Sequence, residues 1–258
     1  MTILTTISQM EKLNFHGIAI DINEIVRSLK HQINLRKTCC QILYDKIIEQ
    51  AAEARNIDVT PEEIYLQAEE VRRFKGLEQT SDTVAWLKEE MLSLEEWETA
   101  IRKDLLSQKL ARELFGHEAE IYFNQNRLNF DKFLVYQLVV PYEKLAQELL
   151  YRIEEEEISF YRAAHLYDID EKRRNVCGYE GEVHRKDYPA DIAAAIFRIP
   201  IPIGVTGPIR SQTGYHLFQI ENHQPAEFTP EIHQKIIDRL FQRWLRNELN
   251  YMIHNNRT

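Results

Sequence analysis

The chain has 258 residues, 44% of them hydrophobic, and a formal charge of -9, which is enough apolar material for one large or two modest domains folding without covalent staples. The acidic balance excludes a broad nucleic-acid surface, because phosphate binding needs clustered Lys and Arg free of interleaved acids. Three cysteines, with Cys39 and Cys40 adjacent and no Cys/His metal spacing, exclude a disulfide framework and a structural zinc site.

No metal or other cofactor is expected. The amino-terminal stretch lacks a basic region followed by a long apolar run, and no uncharged apolar stretch of about 18 residues occurs anywhere. The expectation is a cytoplasmic protein with no membrane insertion.

Residues 22–126 hold only Gly76, Gly116 and Pro61 as breakers and are dense in Glu, Leu, Ala, Arg and Lys, the composition of consecutive helices. A first helix is predicted from about Asn23 as cap, with Ile25, Leu29 and Ile33 on one face. A second runs from near Thr38 to Arg55. Thr60, Pro61 and Glu63 then form a capping box with a proline start, and Ser93 with Glu96 forms another. Behind the second box, Trp97, Ile101, Leu105 and Leu110 supply a buried side, and the aromatics read as core filling.

The pattern changes near residue 127. "NFDKFLVYQLVV" is β-branched, aromatic and stopped by Pro141, so it reads as a strand. "PYEKLAQELLYRIEEEE" returns to helical spacing, and "SFYRAAHLYDID" reads as a short capped helix. A polar loop, "EKRRNVCGYEGEV", carries Gly178 and Gly181 at special backbone angles. "YPADIAAAIFRI" is a helix, and "PIPIGVTGPIRSQTGYHLFQI" a glycine- and proline-punctuated pair of strands. The tail from Thr229 and Pro230 is a long amphipathic helix with Ile236, Leu240, Trp244 or Leu245, and Leu249 on one stripe, and it needs another apolar surface.

The predicted class is therefore α+β. A helical domain spans 1–126, an α+β domain with a small, mostly antiparallel sheet spans 127–222, and the helix of 223–258 packs back to complete the helical domain. Taken alone, a strand histidine such as His216 more often fills a core than acts chemically. His165, His184 and His223 read as surface or structural residues.

The order of these elements, the "GYEG" loop, the "AAAIFRI" helix and above all "GPIRSQTGYHLFQIENH" resemble the parvulin-type peptidyl-prolyl isomerases. The helical part, through pieces such as "LSLEEWETAIRKDLLSQKL", is similar to the chaperone part of the SurA-like and PrsA-like foldases. The resemblance implies rotation about Xaa-Pro bonds in a proline-containing or unfolded peptide or protein client. It places His216 and Thr213 in a buried polar cluster. The family's first-strand histidine falls on Gln137, and its acidic or thiol position on Asp170, with Glu171 as the adjacent candidate. The proline pocket falls on Tyr188 and Ile192, with Phe197 and Leu217 as neighbours. Because Gln does not titrate near neutral pH, the implied isomerase is weak; the alternative is a non-catalytic holdase or peptide-binding module with the same fold.

Overall fold

The computed structural model describes residues 12–15, 17–198 and 203–255. The first eleven residues, on which the reading of the amino terminus rests, and residues 199–202, where the expected strand pair begins, lie outside the described residues. Two compact units divide the chain: one takes the described residues through Ala119 and those from Gln234 onward, the other runs from Glu120 to His233.

The first unit opens with a hairpin of β1 (Lys12–Phe15) and β2 (Ile18–Asp21). The periodicity did not reveal it, because strands of four residues exposed along most of their length carry no alternation. Helix α1 (Ile22–His31) is capped by Asp21 rather than Asn23, since Glu24 sits three residues after Asp21 and closes the reciprocal pair of bonds. Ile33 falls beyond its end and is exposed. Helix α2 (Leu35–Glu53) begins before Thr38. Helix α3 (Pro61–Lys75) has the expected start, with Thr60 Oγ1 accepting from the Glu63 N–H at 3.3 Å and Glu63 accepting from the Thr60 N–H at 2.8 Å.

Helix α4 (Thr80–Glu89) leads to the long helix α5 (Leu94–Gln125), opened by reciprocal bonds between Ser93 and Glu96. Leu87, Trp97 and Ile101 form a core here with Ile64, Ala68, Val71, Trp86 and Leu105 around it. The two tryptophan rings meet edge-on at 5.6 Å. The last helix, α10 (Pro230–Asn255), buries Ile236, Ile237, Leu240, Phe241, Leu245 and Leu249, and Phe241 meets Phe115 of α5 edge-on at 6.4 Å.

In the second unit, β3 (Lys132–Val140) is followed by α6 (Glu143–Glu154), α7 (Phe160–Tyr167) and α8 (Glu171–Asn175). Then come β4 (Tyr179–Val183), α9 (Ala190–Ile196), β5 (Gly204–Arg210) and β6 (Tyr215–Gln224). The four strands form one sheet in the order β4-β3-β6-β5, every neighbouring pair antiparallel. The class is α+β.

Each face of this sheet buries its own core, because strand side chains alternate. Leu138, Val140 and Leu217 pack with Ala146, Leu149, Phe160, Ala163 and Ala164. Phe133, Val135, Phe218 and Ile220 pack with Ile192, Ala193, Ile196 and Phe197. The segment expected as one polar loop holds both α8 and β4. Its residues are polar because β4 lies at the sheet edge, and pairing with β3 is what makes it a strand. Among the described residues no helix is long and apolar enough to cross a membrane.

Candidate active site

Pairing of β3 with β6 puts Val139 opposite His216 and Gln137 opposite Phe218. With a period of two, Gln137 and His216 share one face of the sheet and Leu138 and Leu217 the other. Both polar residues are buried, Gln137 at 8% exposure and His216 at 5%. Burial of polar groups is tolerated only when they are hydrogen-bonded, and here they bond each other. The Gln137 side-chain N–H donates to His216 Nδ1 at 2.5 Å.

That bond decides the tautomer. With Nδ1 accepting, the neutral ring carries its proton on Nε2. Nε2 lies 2.5 Å from Ser211 Oγ and 3.2 Å from Thr213 Oγ1. Ser211 Oγ also accepts the Thr213 backbone N–H at 3.0 Å and lies 2.9 Å from Thr213 Oγ1. The Ser211 N–H donates to Gly214 O at 2.8 Å, closing the turn between β5 and β6. Gly214 has φ +140°, and a Cβ there would stand 2.6 Å from Val140 O, so the turn needs glycine.

Charge around the ring favours the neutral form. Burial chiefly, and then the Arg173 guanidinium, hold His216 below its ordinary value, against the smaller pull of Asp168 and Asp191. Arg173 is paired with the fully buried Asp168, Nε to Oδ2 at 2.7 Å and Nη2 to Oδ1 at 3.0 Å. Asp168 also accepts the N–H of Val139, the pairing partner of His216, at 3.0 Å, and the Asp170 N–H at 2.7 Å.

The buried acid beside the cluster is thus Asp168, not Asp170, while Asp191 lines the cleft itself. Asp170 is exposed and caps α8 by accepting the Arg173 N–H at 3.0 Å, and Glu171 is the exposed first residue of that helix. The cap requirement of α8 claims Asp170. A sequence signal for Asp168 existed: a carboxylate directly after α7 opposes the negative end of the helix dipole and calls for a cation. Arg173 supplies it.

The cluster lies at a cleft of about 970 Å³ lined by Gln137, Tyr188, Ile192, Arg210, Thr213 and His216, among others. Tyr188 is half-buried and meets Phe218 edge-on at 5.7 Å. Phe197 and Leu217 do not line the cleft. Phe197 is fully buried behind Tyr188, at 5.7 Å, and Leu217 belongs to the core on the opposite face of the sheet. Alternation along β6 makes it impossible for His216 and Leu217 to face the same side.

Of the nine positions singled out, five meet at this cleft: Gln137, Tyr188, Ile192, Thr213 and His216. Ser211 was missed, although "SQTG" carries a hydroxyl at the first position of a turn. His184 and His223 are structural: both bond Asp131, through its carbonyl at 2.9 Å and its carboxylate at 2.7 Å.

Residues 140–222 match the Rotamase family, described as the PPIC-type PPIASE domain. The second unit therefore carries a parvulin-type domain, and Gln137 lies just before the matched span. The foldase protein PrsA of Halalkalibacterium halodurans is 24% identical over 210 residues, which are 78% of this chain and 61% of that protein. The chain thus spans about three fifths of the length of that relative. Among solved structures, a peptidylprolyl isomerase (PrsA) from Bacillus cereus is 17% identical with a TM-score of 0.46, covering 93% of this chain and 87% of its own. One from Bacillus anthracis is 15% identical with a TM-score of 0.44, covering 82% and 97%.

Proposed function

We propose that the PPIC-type domain catalyses cis-trans rotation about Xaa-Pro bonds of a peptide or protein client in the cleft around His216. The observation that carries this reading is a buried, neutral histidine bonded through both ring nitrogens beside a cleft walled by Tyr188 and Ile192.

No covalent bond is broken in this reaction. The barrier, about 20 kcal/mol in a free peptide, is the loss of amide resonance. A planar amide is more dipolar than a twisted one. An apolar wall against the proline ring therefore favours the twisted state, which is selective binding of the transition state. In that state the prolyl nitrogen regains a lone pair and accepts a hydrogen bond.

The cluster delivers that bond by a chain with one direction. The Gln137 N–H donates to Nδ1, and Nε2–H donates to Ser211 Oγ. Ser211 Oγ, accepting from Nε2 and from the Thr213 backbone, passes its own proton toward Thr213 Oγ1. The exposed Thr213 hydroxyl is left to donate into the cleft. Gln137 cannot reverse this chain by titrating, so it supports one proton arrangement where a histidine would support two. The resulting isomerase is weak.

The test is catalysed isomerisation of Xaa-Pro peptides with varied preceding residues. Wild type accelerates it; His216→Ala and Thr213→Val each lower kcat/KM about ten-fold, the size of one hydrogen bond in the transition state; Gln137→His raises it. A flat wild-type rate with retained peptide binding would assign the cleft to a non-catalytic holdase. The free thiols of Cys39, Cys40 and Cys177 support work in a reducing compartment, the cytoplasm. Fractionation of cells producing the protein checks that placement.

A further inference from the structure

Two side chains that line the rotamase cleft carry full charges and take no part in the polar cluster: Asp191, in the first turn of α9, and Arg210, the last residue of β5. They come from different walls. Asp191 belongs to the segment that supplies Tyr188 and Ile192, whereas Arg210 directly precedes Ser211 and the turn that carries Thr213. Both are exposed. Among the described residues neither side chain makes a hydrogen bond or an ion pair, although the Asp191 charge is felt at His216. A single exposed charge is usually only solvated. What makes these two informative is that an unpaired anion and an unpaired cation border the same cleft of about 970 Å³, where apolar walls concentrate the field between them.

That field has a direction relative to a bound prolyl bond. On the isomerase reading, on which this step rests, the proline ring lies against Tyr188 and Ile192 and its nitrogen accepts a hydrogen bond from Thr213. The residue before proline is attached to that nitrogen, so it leaves along the wall of Thr213 and Arg210. The residue after proline is attached through the ring carbon Cα, so it leaves along the wall of Ile192 and Asp191.

We infer that Asp191 and Arg210 select clients by the order of their charges: Asp191 favours a lysine or arginine directly after the proline, and Arg210 disfavours one directly before it. The isomerase reading supplies the bond and its placement; the charge order comes from these two side chains. Because both are exposed, each contact changes kcat/KM by about two- to five-fold at low salt and fades as salt screens it.

Four peptides test this with the full chain at about pH 8, where His216 is neutral whether or not Asp191 keeps its charge. They are acetyl-Ala-Ala-Pro-Lys-Ala-amide, its versions with Gln or Glu in place of Lys, and acetyl-Ala-Lys-Pro-Lys-Ala-amide. Exchange between the cis and trans resonances of each peptide gives the rate, and the shift of the His216 ring protons gives binding. The expected order after proline is Lys above Gln above Glu, and a lysine before proline lowers the value. Asp191→Asn brings the first three peptides together, Asp191→Lys reverses their order, and Arg210→Gln removes the penalty on the preceding lysine. An unchanged melting curve shows that each variant is folded. Equal kcat/KM for the Lys, Gln and Glu peptides overturns the inference and leaves the isomerase reading standing. So does a preference that survives about 1 M NaCl or Asp191→Asn. If no peptide is isomerised while the Lys peptide still binds more tightly than the Glu peptide in an Asp191-dependent way, the isomerase reading falls and the charge order stands. Neither catalysis nor binding of any peptide overturns both.

Discussion

At the level of single residues, the polar cluster at the cleft centres on a histidine that burial and a nearby guanidinium favour in its neutral form. The folded pKa of His216 lies below the ordinary 6.5. Between those two values the unfolded chain holds the extra proton, so stability present above about pH 6.5 is lost as pH falls through the folded pKa. Thermal unfolding of wild type from about pH 7.5 to 5.5 therefore shows a larger drop in Tm than unfolding of His216→Gln. Asp168 makes a second residue-level prediction. Its carboxylate is fully buried and satisfies a strand N–H and a guanidinium together. Asp168→Ala strands Arg173 and costs about 3 kcal/mol in denaturant unfolding. His216 and Thr213 were legible in the sequence because a specific motif surrounds them. Asp168 and Ser211 left only generic signals, a carboxylate after a helix and a hydroxyl opening a turn, and their partners were set by the fold.

At the level of elements, local chemistry was legible wherever a cap and a periodic face agreed. The Thr60–Glu63 and Ser93–Glu96 boxes start α3 and α5 where those residues indicate. Thr60→Ala costs about 1 kcal/mol, measured by equilibrium unfolding of the first unit. The elements that escaped are those with no local signature. The β1–β2 hairpin, α8 and β4 are short, and β4 is a strand because β3 supplies its backbone partners. Gly178 marks where β4 meets the site: it has φ +86°, its carbonyl accepts the Gln137 N–H at 2.7 Å, and a Cβ there would stand 2.6 Å from Gln137 O. Gly178→Ala is expected to destabilise the fold by about 1–3 kcal/mol. By displacing Gln137 from Nδ1 it also lowers any isomerase rate, even at temperatures where the variant remains folded.

For the whole molecule, the arrangement in the chain matters more than any element. The first unit is assembled from both ends of the sequence and the second from one continuous stretch, Glu120–His233. A chain ending before α10 loses the six apolar side chains that this helix buries. Its helical unit is expected to unfold, while the continuous unit keeps its sheet and its cleft; limited proteolysis followed by mass spectrometry of the protected fragment checks this. By itself the sequence determined the capped starts of α3 and α5, the switch from period 3.6 to period 2 near residue 127 and the α+β class. These depend on side chains within a few positions of each other, where capping, turn chemistry and periodicity act. Only the tertiary structure decided that Gln137 sets the tautomer of His216, that Leu217 turns away from the cleft, that Asp168 rather than Asp170 is the buried acid, and that Asp191 and Arg210 border one cleft. Each of these is a pairing across strands or helices, and pairing is set by register and burial, which no single segment contains.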